Sequence, residues 1–330
     1  MKLAPLAIQT LYADLLQQVH AVAERPGSVY ARTIKGHRYL SVKRSAGSFR
    51  RDDSLGRADD PAVIEKAAAI RAESARAKDR RKIVRALVSG GVAAPGRKLG
   101  SLLDVMADAG LFRDGVLVGT GAYQCYAPYI GATLASATAM TEDADLATAT
   151  LALAAANASD TMETILKRAD QTFRPVPGLS HKAPPASFRS ANGFLVDLLT
   201  PQYRRSDMNP MPLPALAAGA VPMQHLAWLI ETPVSLAALY GPGVPVRVPE
   251  PSRYAIHKLI LAQRRIGHAV KRRKDLQQAA ELIAILTATS PWELSDAYED
   301  ACAQGKAGWR ELIHRSLKEI GVSPKTLVAT

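Results

Sequence analysis

The chain has 330 residues, 48% of them apolar and 22% charged, which excludes a disordered or fibrous polypeptide and leaves room for several modules around a sizeable core. Lysine and arginine outnumber aspartate and glutamate by 42 to 30, and the resulting net charge of +12 favours polyanionic partners through counterion release. Two cysteines, Cys125 and Cys302, are too few for a disulfide framework or a zinc site, and no run of about 18 apolar residues is present to span a membrane. With no secretory leader in Met1-Lys2-Leu3-Ala4-Pro5, the expected compartment is the reducing cytoplasm.

Ile8, Leu11, Tyr12, Leu15, Leu16, Val19 and Val22 recur at helical spacing, so the chain opens on an amphipathic helix. Two alternating segments, 29–34 and 37–42, flank Lys35-Gly36 and predict a β-hairpin. A basic stretch (Lys43, Arg44, Arg50, Arg51) completes a small N-terminal module over 1–58. Its mixture of Tyr30, Lys35, His37, Arg38 and Tyr39 with these cations suits a nucleic-acid backbone, and equally the soluble exterior of a packing module. Asp59-Asp60-Pro61 starts a long exposed connector helix that ends at Gly90-Gly91, its charges solvated; this connector occupies 59–99.

A short helix from Ser101 stops at Gly110, and Gly115–Val118 is a buried strand that runs into Gly119-Thr120-Gly121 and a further helix. Asp143–Leu146 and Gly193–Leu199 are two more strands, so an α/β or α+β core is expected over 100–250, with 201–222 as an irregular proline- and alanine-rich excursion. Helices are then predicted from Pro251 to Arg265, over 270–288, and after Pro291 and Gly305, forming a helical C-terminal domain over 251–330.

Three carboxylates stand in these apolar strands. Strand alternation puts Asp143 and Asp145 on one face, about 7 Å apart along the chain. Two acids held so close ionise at a penalty unless a cation lies beside them, and hard oxygen donors suit Mg²⁺ or Mn²⁺. Asp197, between Leu195-Val196 and Leu198-Leu199, is expensive to bury without a partner and completes a triad if its strand is a neighbour. The glycine turn at 119–121 exposes backbone N–H groups able to hold a phosphate, although most such turns are only turns. An isolated Asp-x-Asp is common in loops, so it is the combination that points to phosphoryl chemistry.

The order of strand, Gly119-Thr120 turn, helix, Thr141-Glu142-Asp143-Ala144-Asp145-Leu146 and a Val196-Asp197-Leu198-Leu199 strand resembles the polymerase-β-like nucleotidyltransferase superfamily. More narrowly, Val244–Pro249, Tyr254-Ala255-Ile256-His257-Lys258-Leu259 and Lys271-Arg272-Arg273-Lys274-Asp275-Leu276 are similar to segments of bacterial proteins related to AbiEii-type toxins, a likeness covering roughly 100–290. The resemblance implies a mixed sheet with flanking helices, and transfer of a nucleoside monophosphate from an NTP such as ATP to an acceptor hydroxyl. It assigns Asp143, Asp145 and Asp197 to catalysis and to Mg²⁺ (or Mn²⁺), and Gly119, Thr120, Lys258, Lys274 and Asp275 to the nucleotide. Thr120 replaces a smaller residue, and the interval from the turn to Asp143 is longer than in minimal members of the superfamily.

Other residues have plainer readings. Lys258, Ala262 and Arg265 share a helical face that a solvated side would equally explain, and His257 reads as a packing or capping histidine. His181, Arg174 and Arg189 suit either a nucleotide or the surface of a basic protein. The expected partners are an NTP, an RNA acceptor such as a tRNA end, and an antitoxin protein, with no membrane. The alternatives are nucleotidylylation of a protein hydroxyl and a catalytically silent nucleic-acid-binding module.

Overall fold

A computed structural model describes residues 3–22, 25–46, 49–135, 143–148, 155, 159–178, 183–204, 206–265, 267–304 and 308–329. The chain opens on helix α1 (Leu6–His20), which buries Tyr12, Leu15 and Val19 from one face. Strands β1 (Ser28–Ile34) and β2 (His37–Ala46) form the expected hairpin, with Lys35 and Gly36 both at positive φ, as a tight two-residue turn requires. A third strand, β3 (Phe49–Arg57), pairs antiparallel with β2, so the basic stretch belongs to a three-stranded sheet. Charge obscured it: Arg51, Asp52 and Asp53 show no apolar alternation, and cross-strand polar contacts hold the two aspartates, Arg44 to Asp53 at 3.4 Å and the Tyr30 hydroxyl to Asp52 at 2.5 Å.

Helix α2 (Pro61–Ser89) is capped by the Asp60 carboxylate, which accepts from the Ala62 N–H at 2.9 Å. It corrects the expectation of a wholly solvated connector. Val63, Ala67, Ile70, Glu73, Ala77, Arg80, Val84 and Leu87 form one buried stripe at spacings of three and four. The stripe is thin, with two alanines and two charged residues among its eight positions, which hides it from a hydropathy pattern. Those two pair with each other: Arg80 donates to Glu73 at 2.6 Å with both side chains 3% exposed, and the Arg80 Nε reaches the Pro242 carbonyl at 3.2 Å.

The central sheet follows helix α3 (Arg97–Asp108), which starts at Arg97 rather than Ser101. Its elements are β4 (Gly115–Val118), helix α4 (Gly119–Tyr129), β5 (Asp143–Thr148), helix α5 (Met162–Ala169), β6 (Arg174–Pro175), β7 (Ser187–Arg189), β8 (Leu195–Pro201), β9 (Met211–Leu213) and β10 (Ala218–Met223). The strand order is β4-β5-β8-β10-β9, with β7 also on β8. β5, β8 and β10 run parallel and the other pairings are antiparallel, so this is the expected mixed α/β sheet. Strands β9 and β10 correct the irregular excursion expected over 201–222. Pro212 is tolerated because β9 ends the strand order, where a missing N–H breaks no ladder on its outer side.

Helix α6 (Leu226–Leu229) and the hairpin β11 (Pro233–Ala238) and β12 (Val244–Pro249) lead to four helices: α7 (Pro251–Arg264), α8 (Ala269–Thr289), α9 (Pro291–Ala303) and α10 (Trp309–Glu319). Proline opens α7 and α9, where its missing N–H is one the helix does not use. A single buried cluster runs from Leu99 to Leu327, so the sheet and these helices share one interior. Cys125 and Cys302 are buried free thiols, and among the described residues no helix is long and apolar enough to cross a membrane.

The Glu73–Arg80 pair yields a stability prediction. Glu73→Ala leaves a buried guanidinium without its carboxylate and should lower unfolding free energy by about 3–5 kcal/mol in urea titrations. A loss under about 1 kcal/mol would be the behaviour of an exposed pair.

Candidate active site

The site forms where β4 hands over to α4 and where the neighbouring strands β5 and β8 begin. Parallel pairing sets Asp145 directly opposite Asp197, with Asp143 two residues earlier on the same face of β5. Adjacent strands lie about 4.8 Å apart, so the two register partners are forced into each other's field. On β5 the alternate residues Ala144 and Leu146 are buried in the core, while Asp143 and Asp145 are only half-buried. The alternation read from sequence is therefore the one that aims both acids at the cleft.

Electrostatics follow from that register. Burial, then Asp143 and Asp197, push the Asp145 carboxyl up to about 7, against the pull of Lys258 and Lys271. Asp197 is also raised, first by burial and then by Asp143, while the Ser187 hydroxyl donating to its Oδ1 at 2.5 Å lowers it. Ser187 sits opposite Asp197 across the β7–β8 pairing, so it is placed by the same kind of register argument. Neither its role nor that of Lys271 was anticipated from the sequence; Ser187 carried no signal, whereas Lys271 stood in a cationic run beside Lys274.

Gly119 is required by contact as well as by conformation. It has φ +63°, and a β-carbon there would overlap the Asp145 carboxylate. Its carbonyl accepts from the Tyr254 hydroxyl at 2.9 Å, which fastens the turn to α7. Gly119, Thr120 and Gly121 form the first turn of α4, and no side chain caps that turn. Its backbone N–H groups and the positive end of the helix thus lie beside the acids, available to an anionic group.

The cationic side comes from α7 and α8. Lys258 is 5% exposed, and its Nζ pairs with Asp275 at 2.7 Å while lying 5.1 Å from the Tyr254 ring centre. Asp275 is 2% exposed and also pairs with Arg265. The face shared by Lys258, Ala262 and Arg265 is therefore an interior one, which removes the solvated-side reading. Asp275 is clamped between two cations rather than presented to the cleft. Lys274 is half-buried; desolvation lowers its affinity for a proton, which the Asp143 carboxylate opposes. His257 is packed inside, held neutral by burial with its pKa lowered to about 3. Arg189 is exposed and acts on Asp197, Arg174 is exposed, and Thr141, Glu142 and His181 lie outside the described residues.

Tyr254 is the positioning residue that sequence reading missed. It lies one helical turn before Lys258, and it packs against Tyr126 and Tyr123 with ring centres at 5.2 and 6.0 Å. The i, i+4 spacing to the lysine was the available signal. Among the described residues no three His, Cys, Asp or Glu side chains converge into a ready-made metal cage. The donor set still fits a hard divalent ion of the Mg²⁺ type, which is ordinarily held by one or two carboxylates together with waters and substrate phosphates.

A model of the nucleotidyltransferase family matches residues 97–303, a span that contains all these groups. The chain belongs to that nucleotidyltransferase family. No curated protein matches it.

The raised Asp145 pKa predicts how stability varies with pH. Between about pH 4 and pH 7 the fold retains a proton that the unfolded chain has lost, so this group's contribution falls as pH rises and stays unfavourable above pH 7. Asp145→Asn should therefore stabilise the metal-free protein at pH 8 by on the order of 2 kcal/mol, with the gain vanishing near pH 4. Denaturation in a chelating buffer at both pH values measures it; a variant equally stable to wild type at pH 8 would disprove the strained carboxylate.

Proposed function

We propose that this chain is a metal-dependent nucleotidyltransferase that moves a nucleoside monophosphate from an NTP such as ATP to an acceptor hydroxyl on RNA. The observation that carries the reading is Asp145 in register with Asp197 and in contact with Gly119, the first residue of an uncapped helix turn. A carboxylate pair and an anion-binding turn share one small space, and a phosphate bridged to a divalent cation satisfies both.

In the proposed reaction the acceptor oxygen bonds to the α-phosphorus, the bond from that phosphorus to the β-bridging oxygen breaks, and pyrophosphate leaves. Asp143 and Asp145 would hold Mg²⁺ or Mn²⁺, with Asp197 completing the set. The ion would neutralise the triphosphate and lower the pKa of the attacking hydroxyl. Gly119 and Thr120 offer backbone N–H groups to the phosphates. Lys258, fixed by Asp275, supplies positive charge beside Asp145, so Asp275 acts through the lysine rather than on the nucleotide. Lys271 and Lys274 extend that charge along α8. Asp197, with raised proton affinity and an orientation held by Ser187, is suited to take the acceptor's proton.

The net charge of +12 favours RNA over a protein hydroxyl as acceptor. The likeness to AbiEii-type toxins at Val244–Pro249, His257-Lys258-Leu259 and Lys274-Asp275-Leu276 extends the proposal to a toxin-like activity on a tRNA end, neutralised by an antitoxin in the cytoplasm.

Incubation with each α-labelled NTP, Mg²⁺ and total cellular RNA and protein tests the reading. Label should appear on RNA, and Asp143→Asn should reduce it by about 10³-fold or more. Label on protein would replace the acceptor, and no label with any NTP would leave a silent nucleic-acid-binding protein.

A further inference from the structure

A cleft of about 750 Å³ lies away from the carboxylates, between the N-terminal module and the family core. One wall comes from β2 and α2, which precede the matched span of 97–303. The other wall comes from α3, the turn before β4 and the β11–β12 turn. We infer that this cleft binds the phosphate backbone of a nucleic-acid strand, and that building it is what the N-terminal module does. Its purpose as an acceptor track rests on the reading proposed above; the binding itself does not.

Charge pairing carries the argument. Among the described residues the acids lining the cleft are Asp104 and Asp108, both engaged by Arg25, Asp104 at 3.3 Å. Arg80 is used by Glu73. Lys43, Lys78, Arg81 and Arg113 remain, all exposed and, among the described residues, with no carboxylate partner. They come from three separate elements and surround one groove, so the surplus is a feature of the assembled walls and not of one charged helix face. The walls are held together by the same contacts that neutralise the acids: Arg25 reaches α3, and Arg80 reaches the Pro242 carbonyl at 3.2 Å.

The rest of the lining selects the partner. Among the described residues that line the cleft, every side chain larger than valine is a lysine or an arginine, and the others are small, with Gly27, Ser28, Ser45, Ser74 and Gly243 among them. A protein partner would need an aromatic or large aliphatic anchor, and base stacking would need an exposed ring. Cations beside small polar groups serve phosphates and sugars, so binding should be indifferent to sequence. Arg113 also lies two residues before β4, a strand that spans roughly 13 Å to Gly119, which places the groove within a few nucleotides of the transfer centre.

The test uses fluorescence anisotropy of the full chain with a labelled single-stranded RNA oligonucleotide, without NTP or divalent metal, across a salt series. Lys78→Gln with Arg81→Gln is compared with Lys66→Gln plus Arg71→Gln, which removes the same charge from exposed positions on the same helix outside the cleft. The cleft pair should weaken binding by roughly 20-fold at 0.1 M salt and reduce the log–log salt slope by about 1.4, the size of two lost phosphate contacts to a single strand. The control pair should change little. Equal losses from both pairs would mean diffuse attraction and overturn the cleft, as would unchanged binding by the cleft pair. Competition by polyglutamate as effective as by RNA would overturn the nucleic-acid assignment in favour of an acidic protein. If the wild type binds through the cleft yet labels no RNA, the cleft stands and the acceptor reading falls. If it labels RNA at the same rate with and without the cleft cations, and binds equally, the cleft falls alone.

Discussion

The register between β5 and β8 places two carboxylates where neither is comfortable. Parallel pairing fixes Asp145 against Asp197, and a slip of either strand by one residue would turn that strand's acid toward the hydrophobic interior beneath the sheet. The apolar partners Ala144, Leu146, Val196 and Leu198 are all buried, so the core enforces the register and thereby the confrontation of the acids. The stability that these residues contribute by packing offsets the electrostatic penalty at the cleft. Strain of this kind persists at sites where a ligand later relieves it.

Around that pair the chain adds groups whose positions follow from the same constraint. Gly119 has no side chain because Asp145 occupies the space where one would be. Tyr254 holds the Gly119 carbonyl, and one turn later on the same helix Lys258 brings positive charge to Asp145. Lys258 is itself buried and needs Asp275, which Arg265 further compensates. Of these groups the sequence assigns Gly119, Lys258 and Asp275 to the nucleotide, by resemblance. The packing separates groups that face the cleft from those that hold them in place, and Asp275 belongs with the second kind.

Much of this was legible in the sequence where period and punctuation were clean. The strand at 115–118, the strand expected over 193–199 and found over 195–201, the positive-φ turn at Lys35-Gly36, and the proline starts of α7 and α9 all follow local rules that the fold does not override. The three aspartates stood out because each interrupts an apolar strand. What escaped had no such contrast. Strand β3 is charged on both faces, β9 and β10 are interrupted by proline, alanine and glycine, and the buried stripe of α2 hides behind alanines and an internal ion pair. Ser187 and Tyr254 gain their meaning from residues 10 and 135 positions away, a distance no local pattern spans.

The N-terminal module is tied to the family core through Arg25, Glu73 and Arg80, so the chain works as one body with a carboxylate cleft and a cationic groove. On the proposed reading, the strained carboxylates are a seat for a divalent ion. Calorimetric titration of the full chain with Mn²⁺ at pH 7.5 tests that most directly, with Asp145→Asn as the comparison. The account predicts saturable binding by the wild type, tightened by an NTP and lost in the variant. Titration curves for wild type and variant that coincide, with or without NTP, would contradict it.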